Sequence, residues 1–140
     1  MDNGLGVLGI ARKAGRVEAG EEPTGAAARA GKASALFTAS DISGNSLRRA
    51  RGFAEAGKAP MIELPFSKGE IGAALGRTDT VMFAITDTGL AAAFLKRLAA
   101  SDPENYSEAS ALMEKRAETL RLQSRSTAKR TGLGRRRKKI

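Results

Sequence analysis

The residues with the clearest potential for chemistry lie around a glycine turn near the N-terminus. Residues 17–24 read Val-Glu-Ala-Gly-Glu-Glu-Pro-Thr, which predicts a short strand, a tight turn at Gly20 and a helix that Pro23 opens. A helix start presents unpaired backbone N–H groups, which bind anions such as phosphate. Three cations flank the turn on its upstream side, at Arg12, Lys13 and Arg16. These cations could bind a phosphate backbone. Their position is explained equally well by a solvated helix end, because cations are favourable at a helix C-terminus.

The composition excludes several kinds of active site. The chain has no Cys and no His, which removes thiolate nucleophiles, disulfides and Cys/His zinc sites. Asp41 and Asp87 follow predicted strands, where α/β enzymes place catalytic groups. Neither has a partner histidine, a lysine pair or a metal motif. Turn and helix-cap roles are therefore the better interpretation, and we expect no catalytic residue and no metal.

The charge balance favours a polyanionic partner. The 140 residues carry a net charge of +9, with a pI near 10.5, which is typical of nucleic-acid binding. Residues 1–100 contain thirteen basic and ten acidic residues (net +3), and residues 101–140 contain eleven and five (net +6). No apolar run of about eighteen residues is present to span a membrane. The short N-terminal apolar stretch has its charges downstream, the reverse of a signal peptide, so we expect a cytoplasmic protein.

The hydrophobic pattern predicts strands that alternate with helices. The predicted strands are residues 17–19, 35–39, 61–64 and 81–85, of which the last is the clearest central strand. The predicted helices are residues 4–14, 23–29, 47–54, 68–75 and 88–98, with Gly15, Gly31, Gly57 and Gly76 closing four of them and Asp87 or Thr88 capping the last. This order predicts an α/β fold, a three-layer α/β/α sandwich with a small mixed four-stranded sheet.

The composition changes after residue 100, which predicts three segments. Residues 1–100 form the domain, and residues 101–125 form a linker or cap at 102–105 followed by an amphipathic helix from about 107 to 123. That helix places Leu112, Met113, Ala117 and Leu120 on one side. Residues 126–140 form a basic tail that has almost nothing to bury and is expected to be disordered alone.

An ordered set of motifs carries a family resemblance. Residues 8–17 read Leu-Gly-Ile-Ala-Arg-Lys-Ala-Gly-Arg-Val and are followed by Gly-Glu-Glu at 20–22; Gly-Lys-Ala at 31–33, Ala-Ser-Asp at 39–41 and Ile-Gly-Ala-Ala-Leu-Gly at 71–76 come later. Residues 4–98 thereby resemble the bacterial branch of the ribosomal L-seven-Ae family, in the superfamily of kink-turn RNA-binding proteins that includes the ribosomal L-thirty-e proteins.

The resemblance implies a domain that binds structured RNA, often a kink-turn, without catalysis and without a cofactor. It implies that the glycine turn and the second helix start contact the RNA, and that the loop 76–79 packs against an extruded base. The chain departs from the family pattern where contact residues are usual, at Glu18, Ala19, Glu22, Pro23 and Ala26.

The predicted RNA-binding residues form three groups. Those of the glycine-turn face are Arg12, Lys13, Arg16, Gly20, Glu21, Glu22 and Thr24. Those of two adjacent loops are Ser43, Asn45, Arg48, Arg77 and Thr78, where helix capping alone also explains Ser43 or Asn45. Those of the tail are Arg135, Arg136, Arg137, Lys138 and Lys139.

The resulting interpretation is a monomeric RNA-binding protein that is part of the ribosome or associated with it. Its expected partners are RNA and ribosomal proteins, and it is not expected to bind a membrane. One alternative is a protein-interaction module that the tail tethers to RNA nonspecifically. Another is a substrate-binding domain split from an RNA-modifying enzyme, which the lack of a cofactor-binding glycine pattern disfavours.

Overall fold

The computed structural model of the protein describes the backbone of residues 3–139 and the side chains of residues 3–124. Six helices and four strands follow one another in this part of the chain, and from α1 to α5 they alternate as the hydrophobic pattern predicts. Their bounds are α1 Leu5–Lys13, β1 Val17–Ala19, α2 Glu21–Arg29, β2 Ala35–Thr38, α3 Gly44–Gly57, β3 Met61–Glu63, α4 Lys68–Ala74, β4 Met82–Ile85, α5 Thr88–Ser101 and α6 Pro103–Lys139.

The four strands form one mixed sheet in the order β1-β4-β2-β3. β4 pairs antiparallel with both β1 and β2, whereas β2 pairs parallel with β3. Every residue of β2 and β4 is buried, as expected for strands that are covered on both faces. The prediction of a central strand at residues 81–85 is confirmed.

Helices cover both faces of this sheet because side chains alternate along each strand. Phe37 and Phe83 project to one face and stack with their ring centroids 5.1 Å apart, and Phe94 of α5 packs edge-on against Phe37 at the same distance. Side chains of α1, α4 and α6 complete this core. Leu36 and Ala84 project to the other face and pack against alanines of α2 and α3. The predicted α/β/α sandwich is confirmed.

Several predicted polar residues cap helices. The side chain of Ser43 accepts from the third N–H of α3 at 3.2 Å, and that of Asp87 accepts from the third N–H of α5 at 3.0 Å. The carboxylate of Asp41 accepts from the first N–H of α4 at 2.8 Å. Such caps satisfy N–H groups that have no partner inside the helix. The cap and turn roles of the two aspartates are confirmed.

The last helix begins earlier than predicted and enters the core. α6 starts at Pro103 rather than near residue 107, and Asp102 caps it by accepting from Asn105 N at 3.3 Å. Tyr106 is buried in the main core, and its hydroxyl donates to the Glu63 carbonyl at 2.7 Å. Residues 102–105 are thus a cap and a helix start.

The apolar side predicted for α6 is correct only in part. Met113 is 1% exposed and Ala117 packs against the same core, but Leu112 and Leu120 are 46% and 49% exposed. α6 continues to Lys139, through the residues predicted to form a tail that is disordered alone. The predicted RNA-binding residues of that tail have side chains outside the described part of the chain, namely Arg135, Arg136, Arg137, Lys138 and Lys139.

Candidate nucleic-acid interface

The glycine turn joins β1 to α2 and is tied to the centre of the sheet. Gly20 has φ 99° and ψ 166°, a conformation that essentially only glycine adopts. Its N–H donates to the Met82 carbonyl at 3.0 Å, which fixes the turn beside the first residue of β4. α2 begins at Glu21, so the prediction that Pro23 opens the helix is wrong: Pro23 is its third residue. Proline is tolerated there because N–H groups of the first turn have no intrahelical partner.

The start of α2 presents two backbone N–H groups, those of Glu21 and Glu22, since Pro23 has none. No side chain caps this helix. The two carboxylates suit the positive end of the helix dipole, but they repel phosphate. An arginine of α3 offsets one of them, because Arg49 Nη1 lies 2.7 Å from Glu21 Oε1.

A second arginine lies against the turn, and a third lies against the loop that carries the second. An ideal Cβ on Gly20 would lie 3.6 Å from a guanidinium nitrogen of Arg77, and one on Gly76 would lie 2.9 Å from a guanidinium nitrogen of Arg12. Arg77 therefore lies against the glycine turn, and Arg12 lies against the loop that carries Arg77. We call Arg12, Arg49 and Arg77 the arginine cluster. Both Arg12 and Arg77 are exposed, and neither forms an ion pair within residues 3–124.

Close packing holds the α4–β4 loop in place. The Gly72 carbonyl accepts from Arg77 N at 2.7 Å, and a Cβ on Gly72 would meet the Thr78 carbonyl at 1.9 Å. Only glycine fits under this loop. Arg77, Thr78 and Asp79 of the loop are exposed. Of the predicted site residues, Arg77 is therefore the one that the loop aims at the glycine turn.

Thr24 has a structural position. Its side chain is fully buried and its hydroxyl donates to the Glu18 carbonyl at 3.3 Å, so it holds α2 against β1 and does not face solvent. Capping accounts for Ser43, and the Arg48 side chain donates to the Asn45 side chain within α3. Ser43, Asn45 and Arg48 are exposed, and each forms a hydrogen bond within the chain.

Lys13 and Arg16 are exposed, but Arg16 lies at the far end of β1 from Gly20. Its carbonyl accepts from Thr86 N at 2.8 Å. It borders a groove of about 670 Å³ between β1 and α2 that is also lined by Glu18, Pro23, Ala26 and Lys32. The groove thus joins Arg16 to the α2 start.

Arg49 was missing from the residues chosen from the sequence. It is exposed on α3, 28 residues from Glu21, and only the packing of α3 on α2 brings the two together. No local motif signals such a pair.

Two other features, a metal-binding group and a membrane-spanning helix, are absent from the described residues. Within residues 3–124 no group of His, Cys, Asp or Glu is arranged to hold a metal ion. Among the described helices none has both the length and the apolar character that crossing a bilayer requires.

Comparisons with known proteins find relatives in sequence and in fold. The RNA-binding protein YlxQ of Enterococcus faecium is 36% identical over 87 residues, which cover 62% of this chain and 82% of YlxQ. No family model matches the sequence.

Two solved structures share the fold. A Bacillus halodurans C protein of unknown function superposes with a TM-score of 0.63 at 19% identity, covering 70% of this chain and 98% of its own. The 15.5kD RNA binding protein of Giardia lamblia superposes with a TM-score of 0.54 at 16% identity, covering 68% and 81%. At these identities the two structures support the fold alone.

Proposed function

This chain belongs to the same protein family as YlxQ, and from that premise we propose that it binds structured RNA through the start of α2 and the arginine cluster. YlxQ is of the L-seven-Ae kind, so the resemblance carried by residues 4–98 is supported at the level of the family. Recognition of a kink-turn, and a place in or on the ribosome beside ribosomal proteins, are parts of the proposal.

The observation that carries the proposal is the position of three guanidinium groups near an uncapped helix start. Those of Arg49 and Arg77 lie at the start of α2, and that of Arg12 lies against the loop that carries Arg77. They come from α1, α3 and the α4–β4 loop, and Arg49 pairs with one of the two local carboxylates. Guanidinium groups bind phosphate oxygens in pairs of parallel hydrogen bonds. The two backbone N–H groups at the start of α2 offer a further phosphate contact.

The arginine cluster could also compensate for the positions at which the chain departs from the family pattern. Acidic or uncharged residues occupy positions where family contacts are usual, at Glu18, Ala19, Glu22, Pro23 and Ala26. We propose that arginines of neighbouring elements take over the phosphate contacts which those positions do not supply.

The remaining parts of the proposal concern the tail, the oligomeric state and the location of the protein. Residues 1–100 recognise the RNA, and the basic tail adds contacts to phosphates that do not depend on sequence. The protein acts as a monomer in the cytoplasm, without a cofactor and without catalysis.

One binding experiment tests this function. The full-length protein, Arg77→Gln and Arg51→Gln are titrated against a kink-turn RNA and a straight duplex of equal length, at two salt concentrations. We expect the wild type to prefer the kink-turn, and Arg77→Gln to weaken that complex about tenfold, the effect of losing one charge-assisted contact. Arg51 is an equally exposed arginine of α3 outside the cluster, so its variant controls for net charge.

Two outcomes would contradict the proposal. Equal affinity of the wild type for both RNAs would mean that no folded RNA is recognised. Equal effects of the two substitutions would mean that only total charge matters, which is the behaviour of a protein-interaction module tethered to RNA by its tail.

A further inference from the structure

A second charged surface lies at the other end of the sheet from the glycine turn. β4 runs from Met82, beside Gly20, to Ile85, and Thr88 just beyond it lines a groove of about 570 Å³ between α6 and the α2–β2 loop. We call this the α6 groove. Its described charged lining is entirely basic, consisting of Lys32, Lys58, Lys115 and Arg116.

These four cations have no partner carboxylate among residues 3–124. All four side chains are exposed, and the ion pairs found within residues 3–124 involve other residues. Four unpaired cations around one groove repel one another and attract an anionic group of matching size. The free protein thus holds a concentration of positive charge that an acidic partner would relieve.

The same groove has an apolar component. Met113 forms part of its lining at 1% exposure, and Leu112 and Leu120 of α6 border it at 46% and 49% exposure. Large aliphatic side chains gain by leaving water, and partly exposed ones beside a groove mark a contact surface.

We propose that the α6 groove binds an acidic amphipathic segment of a protein partner. The segment's carboxylates contact the four cations, and its apolar side chains pack on Leu112 and Leu120, above the buried Met113. This binding is independent of RNA recognition at the glycine turn.

Charge and chemistry distinguish this occupant from others. A second copy of the chain carries a net charge of +9, and its own tail is basic, so both are repelled. Single-stranded nucleic acid binds by stacking bases on aromatic side chains, and the described lining of the groove contains none. The two exposed leucines of the groove favour a partner with an apolar face, which a phosphodiester backbone lacks.

Lys58 can be substituted without disturbing the fold. It follows α3 with φ 52° and ψ 38°, the left-handed conformation in which a side chain is strained and glycine is usual. Lys58→Gly therefore removes a groove cation while the backbone conformation is kept. A loss of binding in this variant does not come from misfolding.

The test measures the binding of two labelled peptides to the full-length protein at physiological ionic strength, by fluorescence anisotropy. One peptide of about 16 residues, long enough to form a helix, places Leu at helical spacing among Glu residues. The other has Ser in place of each Leu and the same charge. The basic tail attracts both equally, so the difference between them reports the groove.

We expect the Glu/Leu peptide to bind about tenfold more tightly than the Glu/Ser peptide. Lys58→Gly and Lys115→Glu should each weaken the Glu/Leu complex about fivefold, a loss typical of one charge contact at an interface. The exposed Arg51 lies outside the groove, so Arg51→Glu, with the same change of charge as Lys115→Glu, should have little effect.

A methyl NMR spectrum locates the contact. Met113 lies in the groove, and Met82 lies beside the glycine turn. The Glu/Leu peptide should shift the Met113 methyl signal and leave that of Met82 in place. The proposal is overturned if the two peptides bind equally, if Lys58→Gly binds like the wild type, or if single-stranded oligouridylate shifts Met113 as the peptide does.

Discussion

Gly20 carries a backbone conformation on which the geometry of the interface depends. At φ 99° and ψ 166° a Cβ is strained, and the Gly20 N–H binds the first carbonyl of β4. The start of α2 therefore faces Arg77 only while this turn is kept.

Gly20→Ala should lower the free energy of unfolding by about 1–3 kcal/mol, the cost of a rare backbone conformation. Gly52→Ala is the matched control, because Gly52 lies inside α3 and a Cβ there meets no atom within 4 Å. It should raise stability by about 0.5–1 kcal/mol. Urea denaturation measures both, and a Gly20→Ala variant that is as stable as the wild type would refute the strain at Gly20.

Residue-scale features differ in how far the sequence predicts them. The glycine turn and the caps at Ser43 and Asp87 follow from local chemistry, since a few neighbouring residues decide them. The pairing of Arg49 with Glu21 does not, because α2 and α3 must pack before the two side chains meet. The burial of Thr24 likewise depends on the position of β1 under α2.

At the scale of elements, the five helices and four strands up to residue 101 follow from hydrophobic periodicity. α6 shows the limit of that method. The pattern predicts one packing side made of Leu112, Met113, Ala117 and Leu120. Met113 and Ala117 do pack on the core, but Leu112 and Leu120 are exposed and Tyr106 packs there as well. Which face of a helix is buried depends on the surface that receives it, and here α5 and the β3 edge favour the face with the tyrosine.

Tyr106 anchors α6 through its hydroxyl, which donates to the Glu63 carbonyl at 2.7 Å. Tyr106→Phe leaves that carbonyl without its partner and should lower stability by about 1 kcal/mol at neutral pH. Urea denaturation of the full-length variant measures it. A variant as stable as the wild type would mean that the hydroxyl contributes nothing to docking.

The same residue predicts a dependence on pH. Burial raises the pKa of the Tyr106 phenol above 10.0, and the carboxylates of Asp102 and Glu63 raise it further. The folded state thus holds this proton more tightly, so the contribution is complete below pH 10 and is lost as pH rises through the raised folded-state pKa. The stability gap between wild type and Tyr106→Phe should narrow above pH 10; a constant gap would contradict this. Because the chain has one tyrosine, its ultraviolet absorbance follows the titration directly.

At the scale of the whole molecule, positive charge is distributed between the folded domain and the C-terminal segment. Deletion from residue 101 would remove Tyr106 and Met113 from the core, so substitution of charges is the better test of the tail. The variant replaces five terminal cations with Gln, namely Arg135, Arg136, Arg137, Lys138 and Lys139.

If about six tail cations contact phosphates, the logarithm of the affinity for single-stranded RNA falls with the logarithm of salt at a slope of roughly −4. The Gln variant should bind with a slope that is less steep by about 3, measured by titration at several salt concentrations. Its preference for a kink-turn over a duplex should persist, because tail contacts do not read structure. An unchanged slope would exclude the tail as a phosphate-binding segment.

Site-specific photocrosslinking tests the central claim, contact between RNA and the start of α2, most directly. A photoreactive residue is placed in the full-length protein at Glu22, exposed at the helix start, or at Glu55, exposed near the end of α3. After irradiation with a kink-turn RNA, the account predicts a strong crosslink from position 22 and a weak one from position 55. Equal crosslinking from both positions, or a stronger crosslink from position 55, would contradict it.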